Sequence, residues 1–198
     1  VPTLLKNNLW LEKIMSRNTP DSFGSITKIF HWFMAFCIVG MLTVGWVMGN
    51  VESSPTKMML YGLHKSTGVI ILLLALLRLT WRLLNPIPQL PSSLHPWHHY
   101  IAKLSPLALY TLLFLMPLSG FALSQAAGYP IKVYNLFTLP AILPKNIDLS
   151  KTAVLVHKYG AFILIGVLAL HVIAALYHHF ILKTNVLQRM LPSWFQHS

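Results

Sequence analysis

Residues 29–48 read IFHWFMAFCIVGMLTVGWVM, twenty positions without a formal charge. At 1.5 Å of rise per residue such a run crosses a hydrocarbon core of roughly 30 Å, so it is predicted to be a membrane-spanning helix. On its N-terminal side, residues 1–22 form a polar extension, with Pro20, Asp21 and Gly24 marking the break before the apolar run. The extension lacks the small-residue cleavage site of a secretory signal, so the first span reads as a retained anchor. Met15 is an alternative to Val1 as the start of translation. On the C-terminal side a second run extends from Met58 or His64 to Leu84, with Arg78 inside it and Arg82 near its end. A proline-rich connector follows, holding Pro86, Pro88, Pro91 and Pro96. The third run, Leu104 to Ser124, carries Pro106 in its first turn and Pro117 as an expected kink. The loop Gln125 to Lys151 contains an apolar stretch, Ile131 to Leu143, expected to lie in the interface plane, and the fourth span is Thr152 to Leu182. The predicted fold class is therefore all-α, an integral membrane four-helix bundle over residues 23–192 with a short tail at 193–198.

Composition excludes the alternatives. Hydrophobic residues make up 55% of the chain, charged residues 10%, and the mean hydropathy is +0.61, whereas soluble domains carry roughly 25% charged residues. A disordered chain needs the opposite balance, low hydrophobicity with high charge density. The net charge of +11 would suggest nucleic acid in a soluble protein; in a chain of spans it reads as topology, and no nucleic-acid partner is expected. Four spans leave both termini on one face. Lys6, Lys13, Arg17, Lys28, Arg78, Arg82, Lys103, Lys183 and Arg189 fall there, and Lys57, Lys65, Lys132, Lys145, Lys151 and Lys158 on the opposite face. That excess makes the terminal face cytoplasmic by the positive-inside rule. Cys37, the single cysteine, permits neither a disulfide framework nor thioether attachment of a haem.

Ten histidines are anomalous in such a chain, because ionisable groups at membrane depth are costly and default to functional candidates. His157 and His171 share the fourth span, fourteen residues apart, which is roughly 21 Å along a helix axis and about 40° in rotation. The stripe joining them, Gly160, Ala161, Leu164 and Leu168, with Ala175 beyond, is small or smooth and could admit a flat macrocycle beside each imidazole. His31, near the inner start of the first span, matches the depth of His171. His64, near the outer start of the second, matches His157. Two pairs of neutral imidazoles, each drawn from two helices, suit bis-histidine ligation of two iron porphyrins, and facing helices of a bundle are where such cofactors sit. Without thiols the haems would be non-covalent, of b type. A lone intramembrane histidine more often bonds a neighbouring helix; depth matching is what favours ligation. Zinc is disfavoured because no Asp, Glu or Cys accompanies these histidines.

Arg78 lies fourteen residues beyond His64, at the inner level, and its insertion costs about 3 kcal/mol on translocon scales. A haem propionate would partner it, and snorkelling to the headgroups is the alternative. Lys65 and Lys158, each next to a proposed outer ligand, either reach outer propionates or are ordinary interface lysines. His95, His98 and His99 flank Trp97 in the connector and read as interfacial; His178 shares the His171 face and is the rival ligand there; His197 lies in the tail. Trp32, Trp46, Trp81 and Trp97 cluster at span ends, as an aromatic belt requires.

Several short motifs occur in order: Ser25-Ile26-Thr27-Lys28-Ile29-Phe30-His31-Trp32, His64-Lys65-Ser66-Thr67-Gly68, Arg78-Leu79-Thr80-Trp81-Arg82 before Asn85-Pro86, Gly128-Tyr129-Pro130 with Phe137-Thr138-Leu139-Pro140, and His157 with His171. Together they resemble the bacterial cytochrome b561 family, from about Phe23 to Pro192. The resemblance implies a multi-pass cytochrome of the bacterial inner membrane that exchanges electrons with ubiquinone or another quinone. Some members oxidise superoxide, and related ones are cytochrome subunits of hydrogenases or other dehydrogenases. His31, His64, His157 and His171 stand at the family's four ligand positions. Family members often carry a histidine near Lys103 or Pro106; this chain has none at either position.

The leading expectation is thus one-electron transfer across the membrane through two haems b, coupled to quinone, with superoxide as a candidate donor steered by Lys132, Lys145, Lys151 and Lys158. The alternative is a cytochrome anchor that passes electrons from a dehydrogenase partner. A non-haem transporter is disfavoured by the absence of membrane carboxylates and of broken paired helices.

Overall fold

The computed structural model describes residues 16–90 and 94–191. Met15, Lys6, Lys13, Pro91, His197 and the 193–198 tail lie outside the described residues. Among the described residues the protein is all-α apart from one small hairpin. Its four long helices are α1 (Ser25–Asn50), α2 (Pro55–Leu83), α3 (Pro96–Ala126) and α4 (Ile147–Phe180). Each is long and apolar enough to cross a membrane. With lengths of 26 to 34 residues, all exceed the roughly 20 residues a span needs, so their ends reach into the headgroup layer or the helices tilt.

Boundaries follow local chemistry. Pro55 and Pro96 open α2 and α3, where a missing N–H is harmless and the proline φ is already helical. The α3 start lies eight residues before the Leu104 that opens the charge-free run, because the first turns, Pro96–Lys103, are helical but carry His98, His99 and Lys103. His98 and His99 therefore stand on α3 and not in a connector. The assigned helix continues through Pro106 and Pro117.

Two compact units divide the chain, and each takes a piece of every long helix. The first comprises 1–33, 77–106 and 168–198. Its residues before α1 are stitched down by Asn18: Oδ1 accepts from Gly24 N–H (3.0 Å) and from Thr27 Oγ1 (2.7 Å), while Nδ2 donates to the Pro86 carbonyl at 2.9 Å. A Cβ on Gly24 would strike the carbonyls of Ser16 and Arg17, so this turn demands glycine. Trp81 Nε1 donates to Thr27 Oγ1, Arg189 Nη1 to the Gln89 carbonyl and Trp32 Nε1 to the Met190 carbonyl. Trp32 and Trp81 thereby spend their indole N–H groups on the protein.

The second unit comprises 34–76 and 107–167. The α3–α4 loop contributes β1 (Lys132–Val133) and β2 (Phe137–Thr138), paired antiparallel with Val133 opposite Phe137. Tyr134 and Asn135 take positive φ, 46° and 59°, the backbone of a tight hairpin turn whose twist matches the strands. Ile131 and Val133 are buried, whereas Leu136 and Phe137 are exposed, so only part of the apolar loop faces outward. The loop is clipped to α2 and α3. Ser66 Oγ lies 2.8 Å from the Gly62 and Lys132 carbonyls and accepts from Tyr134 N–H; Thr67 Oγ1 is 2.8 Å from Tyr134 Oη; Gln125 bonds Pro140, Ile142 and Leu143.

Candidate functional site

Both units contain a histidine pair. In the first, His31 on α1 and His171 on α4 place their ring centroids 6.2 Å apart, with planes at 52°. In the second, His64 on α2 and His157 on α4 stand 6.1 Å apart, with planes at 80°. None of the four rings is exposed. A metal held between two imidazole nitrogens at about 2.0 Å each separates ring centroids by roughly 6 Å. Rings in edge contact cover a range of about 4.5–7 Å, which includes this spacing. The spacing of both pairs is the spacing of two ligands on one atom, and the polar partners and clearances around the rings carry the fit. No group of three or more His, Cys, Asp or Glu able to hold a metal ion occurs among the described residues; each pair would offer two imidazoles to a cofactor that brings the rest of its ligands.

The surroundings of the His64–His157 pair carry the fit further. His157 Nδ1 is 3.0 Å from the Met116 carbonyl and 3.0 Å from Ser119 Oγ, while the Ser119 hydroxyl donates to the same carbonyl at 2.9 Å. A carbonyl only accepts, so the His157 ring proton resides on Nδ1 and the Nε2 lone pair is left for a ligand. Gly120 clears the ring, for a Cβ there would lie 3.1 Å from His157 Cε1. A Cβ on Gly45 would lie 3.4 Å from His64 Cε1. His64 Nδ1 is buried without a hydrogen-bond partner, which marks this imidazole as one the protein alone does not satisfy.

The His31–His171 pair is built differently. Arg78 Nη2 lies 3.1 Å from His31 Nδ1 and Ser105 Oγ 3.4 Å from His171 Nδ1. Trp32 meets the His31 ring edge-on at 5.3 Å. No acidic residue occurs in α1, α2 or α3, and α4 holds only Asp148, in its first turn. Arg78 is therefore a cation on a span that meets an imidazole nitrogen, on helices whose one carboxylate is Asp148. A propionate-bearing group beside this pair would suit that guanidinium.

The smooth stripe on α4 turns inward. His157, Gly160, Ala161, Leu164, Leu168, His171 and Ala175 are all buried or half-buried, while Phe162, Ile163, Ile165 and Leu170 are exposed. At Gly160, however, a Cβ would lie 2.9 Å from Met116 Sδ, so this glycine admits α3 closely. Lys65 Nζ donates to the Pro130 carbonyl at 2.9 Å, which ties it to the hairpin loop. Lys158 is exposed, and no hydrogen bond joins it to the pair among the described residues. His178 pairs with His98 instead: their rings are 5.0 Å apart, Trp97 lies 3.9 Å from the His98 ring, and His178 Nδ1 is 3.1 Å from Thr184 Oγ1. Sequence reading had no means to find Ser105, Met116, Ser119, Gly45 or Gly120. The only trace was small residues interrupting apolar runs.

The description of prokaryotic cytochrome b561 matches residues 22–193. The chain is 34% identical over 181 residues to cytochrome b561 homolog 2 of Escherichia coli K12, an alignment covering 88% of this chain and 93% of that protein. It is 32% identical over 130 residues to a protein of Yersinia pestis named probable superoxide oxidase CybB, covering 66% and 73% respectively. Cytochrome b561 homolog 1 of Escherichia coli K12 is 28% identical over 173 residues, covering 85% and 96%.

Proposed function

Because the chain belongs to the prokaryotic cytochrome b561 family, we propose that it is a dihaem electron carrier of the bacterial inner membrane, with cytoplasmic termini, that passes single electrons to membrane quinone. Family membership makes it a multi-pass b-type cytochrome. The two haems, their bis-histidine ligation and the quinone are the proposal. The observation that carries it is the pair of imidazole gaps, 6.2 Å and 6.1 Å, each closed by two helices. His31 with His171 would hold one haem and His64 with His157 the other.

Bound haem supplies the one-electron couple. The residues supply the rest. Met116 and Ser119 orient His157 and raise its donor strength through Nδ1–H. Arg78 provides positive charge beside the His31–His171 pair, which favours the reduced state. The apolar spans exclude water and lower the dielectric around both pairs. Quinone reduction takes up protons with its electrons, and the His98–His178 cluster with Thr184 and Trp97 is the protonatable group best placed, two turns beyond His171 on α4, to deliver them. For the electron source we favour superoxide, in line with the name of the Yersinia pestis relative. Two superoxide anions would each surrender one electron and leave as dioxygen, and one quinone would take two electrons and two protons to become quinol. Lys132, Lys145, Lys151 and Lys158, all exposed, would steer the anion toward the opposite membrane face.

The test begins with a reduced-minus-oxidised visible spectrum and a haem:protein ratio on the purified protein. Two acid-acetone-extractable haems per chain are expected, and a ratio near one defeats the two-site reading. Superoxide consumption is then compared with quinone alone and with quinone plus protein. If the protein adds nothing, electrons must come from a protein donor, and co-purification with a dehydrogenase becomes the measurement to make.

A further inference from the structure

The first two turns of α3 carry a polar stripe that belongs to neither histidine pair. Pro96, His99, Tyr100 and Lys103 are spaced i, i+3, i+4 and i+7, which puts all four on one face of the helix. With Leu94 they line a cavity of about 380 Å³. His98 turns away from it: its ring lies 3.9 Å from Trp97 and 5.0 Å from His178 on α4. Adjacent residues stand about 100° apart around a helix axis, so one histidine serves the contact with α4 and the next one the cavity.

We infer that this cavity binds the headgroup of an anionic phospholipid, of the phosphatidylglycerol type, from the leaflet that meets the start of α3. Depth, donor chemistry and charge select that ligand. Lys103 is the last charged residue before the charge-free run Leu104 to Ser124, so it stands at the edge of the hydrocarbon, and Pro96 lies about 10 Å further out along the axis. A headgroup layer is roughly 5–8 Å thick on each side of the core, so the stripe crosses it. Leu104, one turn beyond Tyr100, is exposed and offers a surface for the acyl chain below. Lys103 brings an ammonium, Tyr100 a hydroxyl and His99 an imidazole, donors that a phosphodiester accepts from, while Leu94 and Pro96 make the rest of the wall apolar. Among the described residues no carboxylate lines the cavity, and none occurs in α3. A zwitterionic headgroup would carry its own ammonium to a wall that holds a like charge and no counter-ion, whereas a glycerol headgroup is neutral beyond its phosphate. The unit to which the cavity belongs holds seven lysines and arginines against one carboxylate, Asp21, among its described residues, and basic residues at headgroup level attract anionic lipid. Lipid binding here requires neither haem nor quinone, so its failure and that of the electron-transfer proposal are separate results.

The experiment is native mass spectrometry of the full-length, delipidated protein in detergent, titrated with dioleoylphosphatidylglycerol and, separately, with dioleoylphosphatidylethanolamine. The parent should bind its first phosphatidylglycerol more tightly than its first phosphatidylethanolamine. Lys103→Gln should weaken phosphatidylglycerol about fivefold, the loss expected for one cation at headgroup level, and leave phosphatidylethanolamine nearly unchanged. Lys103→Arg should keep the preference, since the charge remains. Leu94→Glu puts a carboxylate into the cavity and should weaken phosphatidylglycerol while strengthening phosphatidylethanolamine, so the ratio narrows or inverts. Lys183→Gln removes an exposed lysine of the same unit that does not line the cavity, and it should change the phosphatidylglycerol affinity by less than about twofold because charge outside the site is screened. Equal binding of the two lipids by the parent overturns the site, as does a preference that survives both Lys103→Gln and Leu94→Glu. Displacement of bound phosphatidylglycerol by millimolar inorganic phosphate also overturns it, because the cavity would then take any phosphate. Displacement by a short-chain ubiquinone, with Lys103→Gln weakening the quinone instead of the lipid, overturns it in favour of a quinone pocket.

Discussion

The two histidine pairs have nearly the same spacing and opposite chemistry at Nδ1. Around His64–His157 the protein presents a backbone carbonyl and a hydroxyl to one ring, leaves the other Nδ1 without a partner, and clears space with two glycines. Around His31–His171 it presents a cation to one ring and a distant hydroxyl to the other. Equal spacing follows from helix packing, which is coarse and shared. The difference in polar partners follows from which residue of the neighbouring helix meets each ring: an acceptor carbonyl fixes the proton of His157 on Nδ1, whereas a guanidinium donor meets Nδ1 of His31.

The comparison can be broken most directly by removing ligands. His157→Ala and His64→Ala should each abolish the same haem, and His171→Ala and His31→Ala the other, as read by haem:protein ratio and the reduced-minus-oxidised spectrum. If His31 and His64 variants lose the same spectral component, the pairing is wrong. Next in size is glycine clearance. Gly120→Ala puts a Cβ 3.1 Å from His157 Cε1 and should lower occupancy of that site to below about half, because helix backbone and a ring bonded to Met116 have little room to yield. Gly45→Ala, at an ordinary 3.4 Å from His64, should leave occupancy nearly unchanged. Equal effects of the two substitutions would contradict the idea that His157 is the less yielding ring.

Smaller shifts sharpen the electrostatic contrast. Arg78→Leu should lower the midpoint potential of the His31–His171 haem by about 50–100 mV, or about 1–2 kcal/mol for one electron. The sign follows because reduction adds negative charge, which a nearby cation stabilises. A redox titration with the second haem as internal standard measures it. Ser119→Ala should raise the potential of the His64–His157 haem by about 20 mV, since removing one acceptor from Nδ1–H weakens the imidazole as a donor and relieves stabilisation of the oxidised state. A fall in potential would mean that Ser119 donates to the ring instead. Smallest is the expected salt effect: superoxide-driven reduction should slow as ionic strength rises past 0.1 M, where the screening length is about 10 Å, and stopped-flow rates across a salt series read it.

Much of this arrangement was visible along the chain. The spans were legible because a bilayer imposes a one-dimensional demand, about twenty apolar residues without charge, which residues 29–48 meet outright. The adjacency of His31 to His171 and of His64 to His157 was legible because helix rise converts sequence position into depth, and depth in antiparallel spans selects the neighbour. The start of α3 was missed, since His98, His99 and Lys103 interrupt the charge-free run by which the span was read, although Trp97, Tyr100, Ile101 and Leu104 keep helical spacing. The hairpin was missed because Tyr134 and Asn135 lack the glycine that advertises positive φ, and the turn is held instead by Ser66 and Thr67 on α2.

What the sequence by itself determined is therefore the number of long apolar spans and the two levels at which imidazoles occur. Those properties depend on hydrophobicity, residue type and helical repeat, all of which are local. Only the tertiary structure decided that Lys65 serves the Pro130 carbonyl, that Met116 and Ser119 hold His157, and that Arg78 holds His31. A hydrogen bond exists within a few tenths of an ångström or not at all, and residues 38, 41, 47 and 65 positions apart in the chain come within that tolerance only when neighbouring helices have fixed their rotation and register against one another.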